Sequence, residues 1–335
     1  MSRPTQTLLG EPFLSVVIVA FRSGRHLQAC VDALARQSDA GFEVVVVDNA
    51  CPDNCTAPLA LPDERFRVVR SKTNRGFSGG CNLGFRESRL PWVACLNPDA
   101  LARPNWVAEV RRAAERYGQG CAFGSTQLRL GRPEEVDGFG DVLSLWGLAW
   151  RGGEGSPAEN LPDTDGEVLS PCAAAAVYPR GAVEAVGGFD EAYFLYMEDL
   201  DLGLRLRAHG LRVVQLRRAV VEHAGSEGSD TSETLPRLQT ARNMPRLLVK
   251  NLPLPILVLA LPLSVAARAY LDMRHRRHQP DTEPTLETYL RSAFSPQNWR
   301  ARKSVRQMSV RGLWKYLSFN PRAARRTPVR VRPME

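Results

Sequence analysis

Five short stretches carry side chains that could do chemistry. The first is Asp48, with Asn49 after it, at the end of the apolar run 42–47. A carboxylate there can accept hydrogen bonds from a ligand's base or ribose, or simply close an Asx turn. The second is Asn74-Arg75-Gly76-Phe77-Ser78-Gly79-Gly80-Cys81-Asn82. Its three glycines permit close backbone approach to a ligand, and it leads into a helix start suited to anions. The spacing is not the dinucleotide fingerprint, and a flexible loop is the plain alternative. The third is Asn97-Pro98-Asp99, where Asp99 is placed to hold a divalent cation against a diphosphate. Helix capping ahead of Pro104 would use the same residue. The fourth is Glu198-Asp199-Leu200-Asp201, three acids in four positions beside apolar residues. They suit a helix N-terminus, or a general base whose crowded neighbours raise its pKa toward working pH. The fifth is His223, ending the run Val220-Val221-Glu222. A lone strand-end histidine is ordinarily structural, and it becomes a ligand candidate only if Asp99 holds a metal.

Positioning these groups requires a sheet. Residues 14–20 (LSVVIVA) and 42–47 (FEVVVV) are continuous β-branched runs, the pattern of strands buried on both faces. Residues 66–69 and 92–96 read as two more strands. Helical spacing covers 25–37, 79–89 and 104–117, the last with a proline in its first turn. This order predicts an α/β fold with a mostly parallel sheet. Asp48 and Asp99 then stand at carboxyl ends of strands, where such sheets bind ligands. Residues 121–155 read as glycine-rich and irregular. A strand is expected over 170–178, helices over 180–186 and 198–209, and two short strands over 212–216 and 219–223.

The chain has 335 residues, 44% hydrophobic and 24% charged, enough for a substantial core. Its formal charge of +8 sits in the tail, because residues 300–335 hold eleven Lys or Arg against one acid. Such a tail suits anionic lipid or nucleic acid, or is a solvated end. Cys30, Cys95 and Cys121 lie in apolar runs and read as core. Cys51 and Cys55 lack a second ligand pair, so zinc is weakly supported. Mostly reduced thiols and an N-terminus without an apolar signal core predict a cytoplasmic protein. Residues 252–267 (LPLPILVLALPLSVAA) are uncharged but short of the roughly 20 residues a span needs, with three prolines. That favours a membrane-surface or re-entrant segment, with a buried helix as the alternative. The expected organisation is a tail over 1–12, a catalytic domain over 13–250 and an apolar, basic extension over 251–335.

Taken in order, LSVVIVAF (14–21), VVVVDNA (44–50), NRGFSGGCNLGF (74–85), WVACLNPDA (92–100), GGFDEAYFLYMEDLDLGLRLRAHG (187–210), VVEH (220–223) and ARN (241–243) resemble glycosyltransferase family 2, in its rhamnosyltransferase-like branch. The resemblance implies a GT-A fold and an inverting transfer of sugar from a nucleotide-diphosphate donor to a hydroxyl of a glycan or lipid-linked glycan. It implies Asp199 as base, with Glu198 the other candidate and Asp201 structural. It implies donor contacts from Ala20, Asp48, Asn74, Arg75, Gly76, Asn82, Asn97, Asp99 and Arg242. A divalent metal, Mg2+ or Mn2+, would rest on Asp99 and His223. Asn97 replaces the first acid of the metal motif, which leaves fewer protein carboxylates. The resemblance also suggests dTDP-rhamnose as donor and an acceptor at the inner face of the cell membrane.

Two rivals stand beside this reading. A nucleic-acid-binding protein would explain the basic tail but leaves the acids at 198–201 without a role. A nucleotidyltransferase acting on sugar phosphates would want a glycine-rich basic signature after the first strand, where this chain has only Phe21-Arg22-Ser23-Gly24-Arg25.

Overall fold

β-branched residues dominate the first half of the sheet because both of its faces are covered. A computed structural model describes residues 11–225, 234–279, 283–319 and 332–333. In chain order it contains β1 (Leu14–Ala20), α1 (Gly24–Ala35), β2 (Phe42–Asp48), β3 (Phe66–Arg70), α2 (Gly76–Glu87), β4 (Trp92–Leu96), β5 (Ala100–Ala102) and α3 (Trp106–Tyr117). There follow β6 (Cys121–Arg129), β7 (Arg132–Gly138), β8 (Asp141–Leu143), β9 (Ala149–Arg151), β10 (Gly166–Glu167), β11 (Ala175–Pro179), α4 (Arg180–Ala185), α5 (Glu198–Ala208) and β12 (Arg212–His223). The C-terminal part adds α6 (Thr234–Asn251), α7 (Leu254–His278), α8 (Leu286–Ala293), α9 (Pro296–Lys303), α10 (Val310–Trp314) and β13 (Arg332–Pro333).

The main sheet runs β13-β10-β12-β6-β11-β4-β1-β2-β3, with β5 on β12 and β7 on β6. β3, β2, β1 and β4 are mutually parallel, while β11 is antiparallel to both β4 and β6. Side chains alternate between two cores. Val16, Ile18, Val44 and Val46 pack with α1 and α3, while Val17, Val19, Val45 and Val47 pack with α2 and α5. Register aligns Ala20 with Asp48, and Asp48 with Arg70, so the strand ends form one ledge.

Several expectations are corrected. Residues 121–155 are not irregular: they supply β6, which lies between β12 and β11, and the hairpin strand β7. Their polar residues hid them, because Ser125, Thr126 and Gln127 are buried but hydrogen-bonded, Ser125 to the Trp106 indole at 2.9 Å. Residues 212–223 form one strand with a register shift between Leu216 and Val220, not two strands. The strand expected over 170–178 is confined to β11. Helix α3 begins after Asn105, so Pro104 lies outside it.

Helix α2 starts earlier than the spacing predicted and takes in the glycines read as a ligand loop. A Cβ on Gly80 would sit 2.6 Å from Val19, and one on Gly84 2.2 Å from Val17. These glycines let the helix lie flat on β1. Cys51 and Cys55 form a disulfide, which removes them as zinc ligands, while the remaining five cysteines are free and buried.

Residues 252–267 belong to the longer helix α7, with Pro255 in its first turn and Pro262 inside. By length and composition α7 could cross a membrane. Ile256, Leu257 and Ala260 pack into a core shared with Tyr193, Leu200 and Leu204, whereas Leu254, Val258 and Leu259 are 55%, 64% and 51% exposed. The two sides of residue 250 therefore share a hydrophobic core. The expected tail falls almost wholly outside the described residues, as do four of the eleven cations after residue 299.

Candidate active site

The β5–β12 register sets the first half of the site. His223 pairs with Ala100, which brings its imidazole next to Asp99. His223 Nε2 lies 3.3 Å from Asp99 Oδ1, and the Asn97 amide nitrogen lies 3.2 Å from the same Nε2. On the other side, Nδ1 lies 2.7 Å from Asp137 Oδ2, and Arg151 Nη1 donates to that oxygen at 2.5 Å. Burial alone would lower the His223 pKa, but hydrogen bonds and charge from Asp137 and Asp99 raise it to about 9. Burial pushes the Asp99 carboxyl up, and His223 outweighs it and holds it below the ordinary value.

This donor set fits a hard divalent cation. A carboxylate oxygen and an imidazole nitrogen 3.3 Å apart can share one ion at ligand distances of about 2.0–2.2 Å. Asp137 would hold the Nδ1 proton and leave Nε2 free, the carboxylate–histidine pairing that orients metal-binding imidazoles.

The second half is the start of α5. Among its acids, Glu198 is 5% exposed and Asp201 is fully buried, while Asp199 is half-buried and so reaches the surface. Asp201 is held by Arg205, Lys250, Asn251 and the Tyr193 hydroxyl. Burial would raise its pKa, but Arg205 and Lys250 prevail and keep it below the usual range. Glu198 is pushed well up by burial and by the charge of Asp199, and its Oε2 has no partner. Burial also raises Asp199, against backbone amides of Leu200 at 2.8 Å and Ala173 at 3.3 Å. Asp141 lies close enough to Asp199 and Cys172 for their polar atoms to fall within 4.8 Å of one another.

The two halves meet across residues 172–174. The Ala173 amide donates to Asp199, and the next carbonyl, Ala174, accepts from the Asn97 amide at 2.9 Å. Arg151, which pairs with Asp137, also lowers the pKa of Asp199 through its charge. The strand-end carboxylate and the helix-start carboxylate therefore belong to one region.

The segment before α5 is strained. Phe194, Tyr196 and Met197 adopt φ of 63°, 70° and 72°, each costing about 1–3 kcal/mol for a residue with a side chain. Asn243 compensates: its Nδ2 lies 2.8–2.9 Å from the carbonyl oxygens of Tyr193, Leu195 and Tyr196. Asn243 thus shapes the backbone that presents Asp199.

The remaining residues divide. Ala20 and Asp48 stand on the strand-end ledge, where Asp48 accepts from the Cys51 amide at 3.0 Å and the Thr56 hydroxyl at 2.6 Å. Buried Asn49 fixes the next loop, donating to Asn74 and to the Gly76 carbonyl and accepting from the Arg75 amide. The side chains of Arg75 and Asn82 clamp Glu191, and Asn82 also pairs with both backbone groups of Phe189. Gly76, at φ 65°, packs where a Cβ would meet the Phe194 carbonyl at 2.2 Å. Arg242 lines a separate cavity that includes none of Ala20, Asp48 or Asp99. Sequence reasoning missed Asp137, Asp141 and Arg151, which lie in the stretch read as irregular. Their signal was Asp137-Gly138-Phe139-Gly140-Asp141, two acids around a glycine-bounded aromatic.

Residues 15–138 match the family model for glycosyl transferase family 2. Over that stretch the chain is similar to family 2 glycosyltransferases. The GT-A architecture around it resembles that of GalNAc-T7, crystallised with UDP, GalNAc and Mn2+, at a TM-score of 0.58 and 16% identity over 72% of this chain and 48% of that one. The chain is 27% identical to an N-acetylglucosaminyl-diphospho-decaprenol L-rhamnosyltransferase of Mycobacterium tuberculosis, over 66% of this chain and 80% of that one. It is also 29% identical, over 69% of its length, to an uncharacterized protein of Sinorhizobium fredii, but spans only 27% of that longer relative.

Proposed function

We propose that this enzyme transfers a sugar from a nucleotide-diphosphate donor to a hydroxyl of a lipid-linked glycan, with inversion and with a divalent metal, Mg2+ or Mn2+. The observation that carries the reading is the bridge at residues 172–174, which seats half-buried Asp199 beside the Asn97–Asp99–His223 cluster. Ala20 and Asp48 would face the donor's nucleoside, and Asn97 and Asp99 its diphosphate. Of the nearby loop, Asn74, Arg75, Gly76 and Asn82 would act by shaping the donor pocket.

A cation held by Asp99 and His223 would neutralise charge building on the departing diphosphate. The chain's own residues do the rest. Asp199, its pKa raised by burial, accepts the proton of the acceptor hydroxyl as its oxygen attacks the anomeric carbon. Attack from the face opposite the diphosphate inverts the configuration in a single displacement. Holding both partners in line supplies part of the acceleration. Asn243 and the Arg75–Glu191 pair keep the base-bearing loop in place.

Resemblance to the mycobacterial relative makes dTDP-rhamnose the first donor to try and a diphospho-lipid glycan the first acceptor. The exposed side of α7 and the basic C-terminal segment support contact with the inner face of the membrane, within the extension 251–335. Cosedimentation with anionic vesicles checks that contact. The decisive test of chemistry is Asp199→Asn. Transfer should fall by about 10²–10⁴ while donor affinity is retained; equal turnover would remove Asp199 from the base role.

A further inference from the structure

Between α6, α8, α9 and the 3-10 turn at Glu191–Tyr193 lies a cavity of about 380 Å3. Arg242, Arg246 and Arg291 line it together with Ser292, Ser295 and Asn298, and no carboxylate does. We propose that this cavity binds the diphosphate of the lipid-linked acceptor. The proposal rests on the transfer reaction proposed above.

Three observations carry it. Arg246 is only 9% exposed, and although its two terminal nitrogens donate to Asn298 and Asp190, its Nε has no partner. A buried N–H without an acceptor is destabilising, and a ligand oxygen in the cavity would satisfy it. Second, the cavity's cations exceed their counter-charges. Asp190 is shared between Arg246 and Lys250, Arg291 pairs only with solvent-exposed Glu287, and Arg242 has no ion-pair partner among the described residues. Surface pairs such as Arg291–Glu287 are weak enough to yield to a phosphate that accepts from two guanidinium groups.

Third, the position suits an acceptor that is part lipid and part sugar. Arg242 precedes Asn243, which holds the loop leading to Asp199. On the other side, α8 packs against α7, whose exposed Leu254, Val258 and Leu259 provide an apolar surface for a prenyl chain. The diphosphate of such an acceptor stands between its tail and its reacting sugar, and the cavity adjoins the Asp199 loop through Ala192 and Arg242 and α8, which packs on α7.

The test uses the full chain, with farnesyl diphosphate and inorganic diphosphate as probes, by calorimetry in EDTA so that no metal-held donor site competes. Wild-type protein should bind farnesyl diphosphate, and Arg242→Gln with Arg291→Gln should weaken it at least tenfold. Asp99→Asn should leave that binding unchanged. Both arginines are exposed, so their replacement preserves the fold, which a matching melting temperature verifies. Equal affinity in wild type and double variant, or loss in Asp99→Asn, would overturn the proposal. Binding of inorganic diphosphate without farnesyl diphosphate would assign the cavity to a free anion and overturn the lipid source. In transfer assays Arg291→Gln should raise KM for a prenyl-diphosphate-linked sugar tenfold or more while KM for an alkyl glycoside of the same sugar holds. Equal KM changes for both acceptors would overturn it too. If farnesyl diphosphate binds as expected but no nucleotide-sugar is ever turned over, the cavity assignment stands and the transferase reading fails.

Discussion

Asp137 Oδ2 sits 2.7 Å from His223 Nδ1, and the opposite ring nitrogen faces Asp99 at 3.3 Å. The imidazole is thus gripped by a buried carboxylate on one side and offers its free edge to the strand-end acid on the other. Replacing Asp137 with Asn removes the grip and leaves both proposed ligands in place. Metal affinity, followed by titrating donor hydrolysis with Mn2+, should fall roughly 10–100-fold. Unchanged affinity would separate Asp137 from any metal role.

The pH profile should report the base. Burial raises the Asp199 pKa, so kcat should decline as pH falls through a value above the ordinary aspartate figure of about 3.9. Arg151 acts in the opposite sense on the same carboxyl. Arg151→Met should therefore move the acid limb toward neutrality. A limb that stays fixed would mean that another group titrates.

Glu198 gives a stability test with a defined sign. Its folded pKa is raised by burial and by Asp199, so the native state keeps a proton that the unfolded chain releases above about pH 4.3. Wild-type stability should drop with rising pH across that window. Glu198→Gln, which mimics the protonated form, should match wild type below about pH 4 and melt at a higher temperature near pH 8. A variant less stable at both pH values would mean that ionised Glu198 has a partner.

Lys250 gives the converse case. It donates to Asp190 at 2.7 Å and to Asp201 at 2.8–2.9 Å. Both carboxyls are lowered, Asp190 by Lys250 and Arg246 against its burial, so their contribution is present above about pH 4 and is lost as pH falls. Lys250→Met should cost about 3–5 kcal/mol in urea titrations at pH 7, and less at pH 3. A uniform loss at both pH values would point to packing.

Much of this was readable in advance. The runs 14–20, 42–47 and 92–96 announced buried parallel strands because nothing but apolar burial on both faces tolerates them. Asp99, His223 and Asp199 were singled out through the family resemblance, because taken alone a strand-end histidine is ordinarily structural, and the structure sets His223 3.3 Å from Asp99. What could not be read was decided by distant partners. Buried Gln127 looks like loop until β12 pairs with its strand and the Cys172 carbonyl accepts from its side-chain amide, and Asp137 looks like turn until His223 arrives from 86 positions away. Gly80 looked like part of a ligand cradle because clearance from Val19 is invisible in one dimension. Arg75 and Asn82 looked donor-facing for the same reason, with Glu191 as their distant partner.

Asp201 has a consequence for how such enzymes diversify. Two residues beyond the proposed base, it draws one of its two cations and an amide from Lys250 and Asn251 on a different helix, the other cation being Arg205 of its own. Grafting the C-terminal helices of a relative onto this chain, in order to retarget it to another carrier, would strip a buried anion of half its support unless those two residues travel with the graft. Retargeting by recombination should therefore succeed at junctions just after α6, which keep Lys250 and Asn251 with Asp201, and fail at junctions before it.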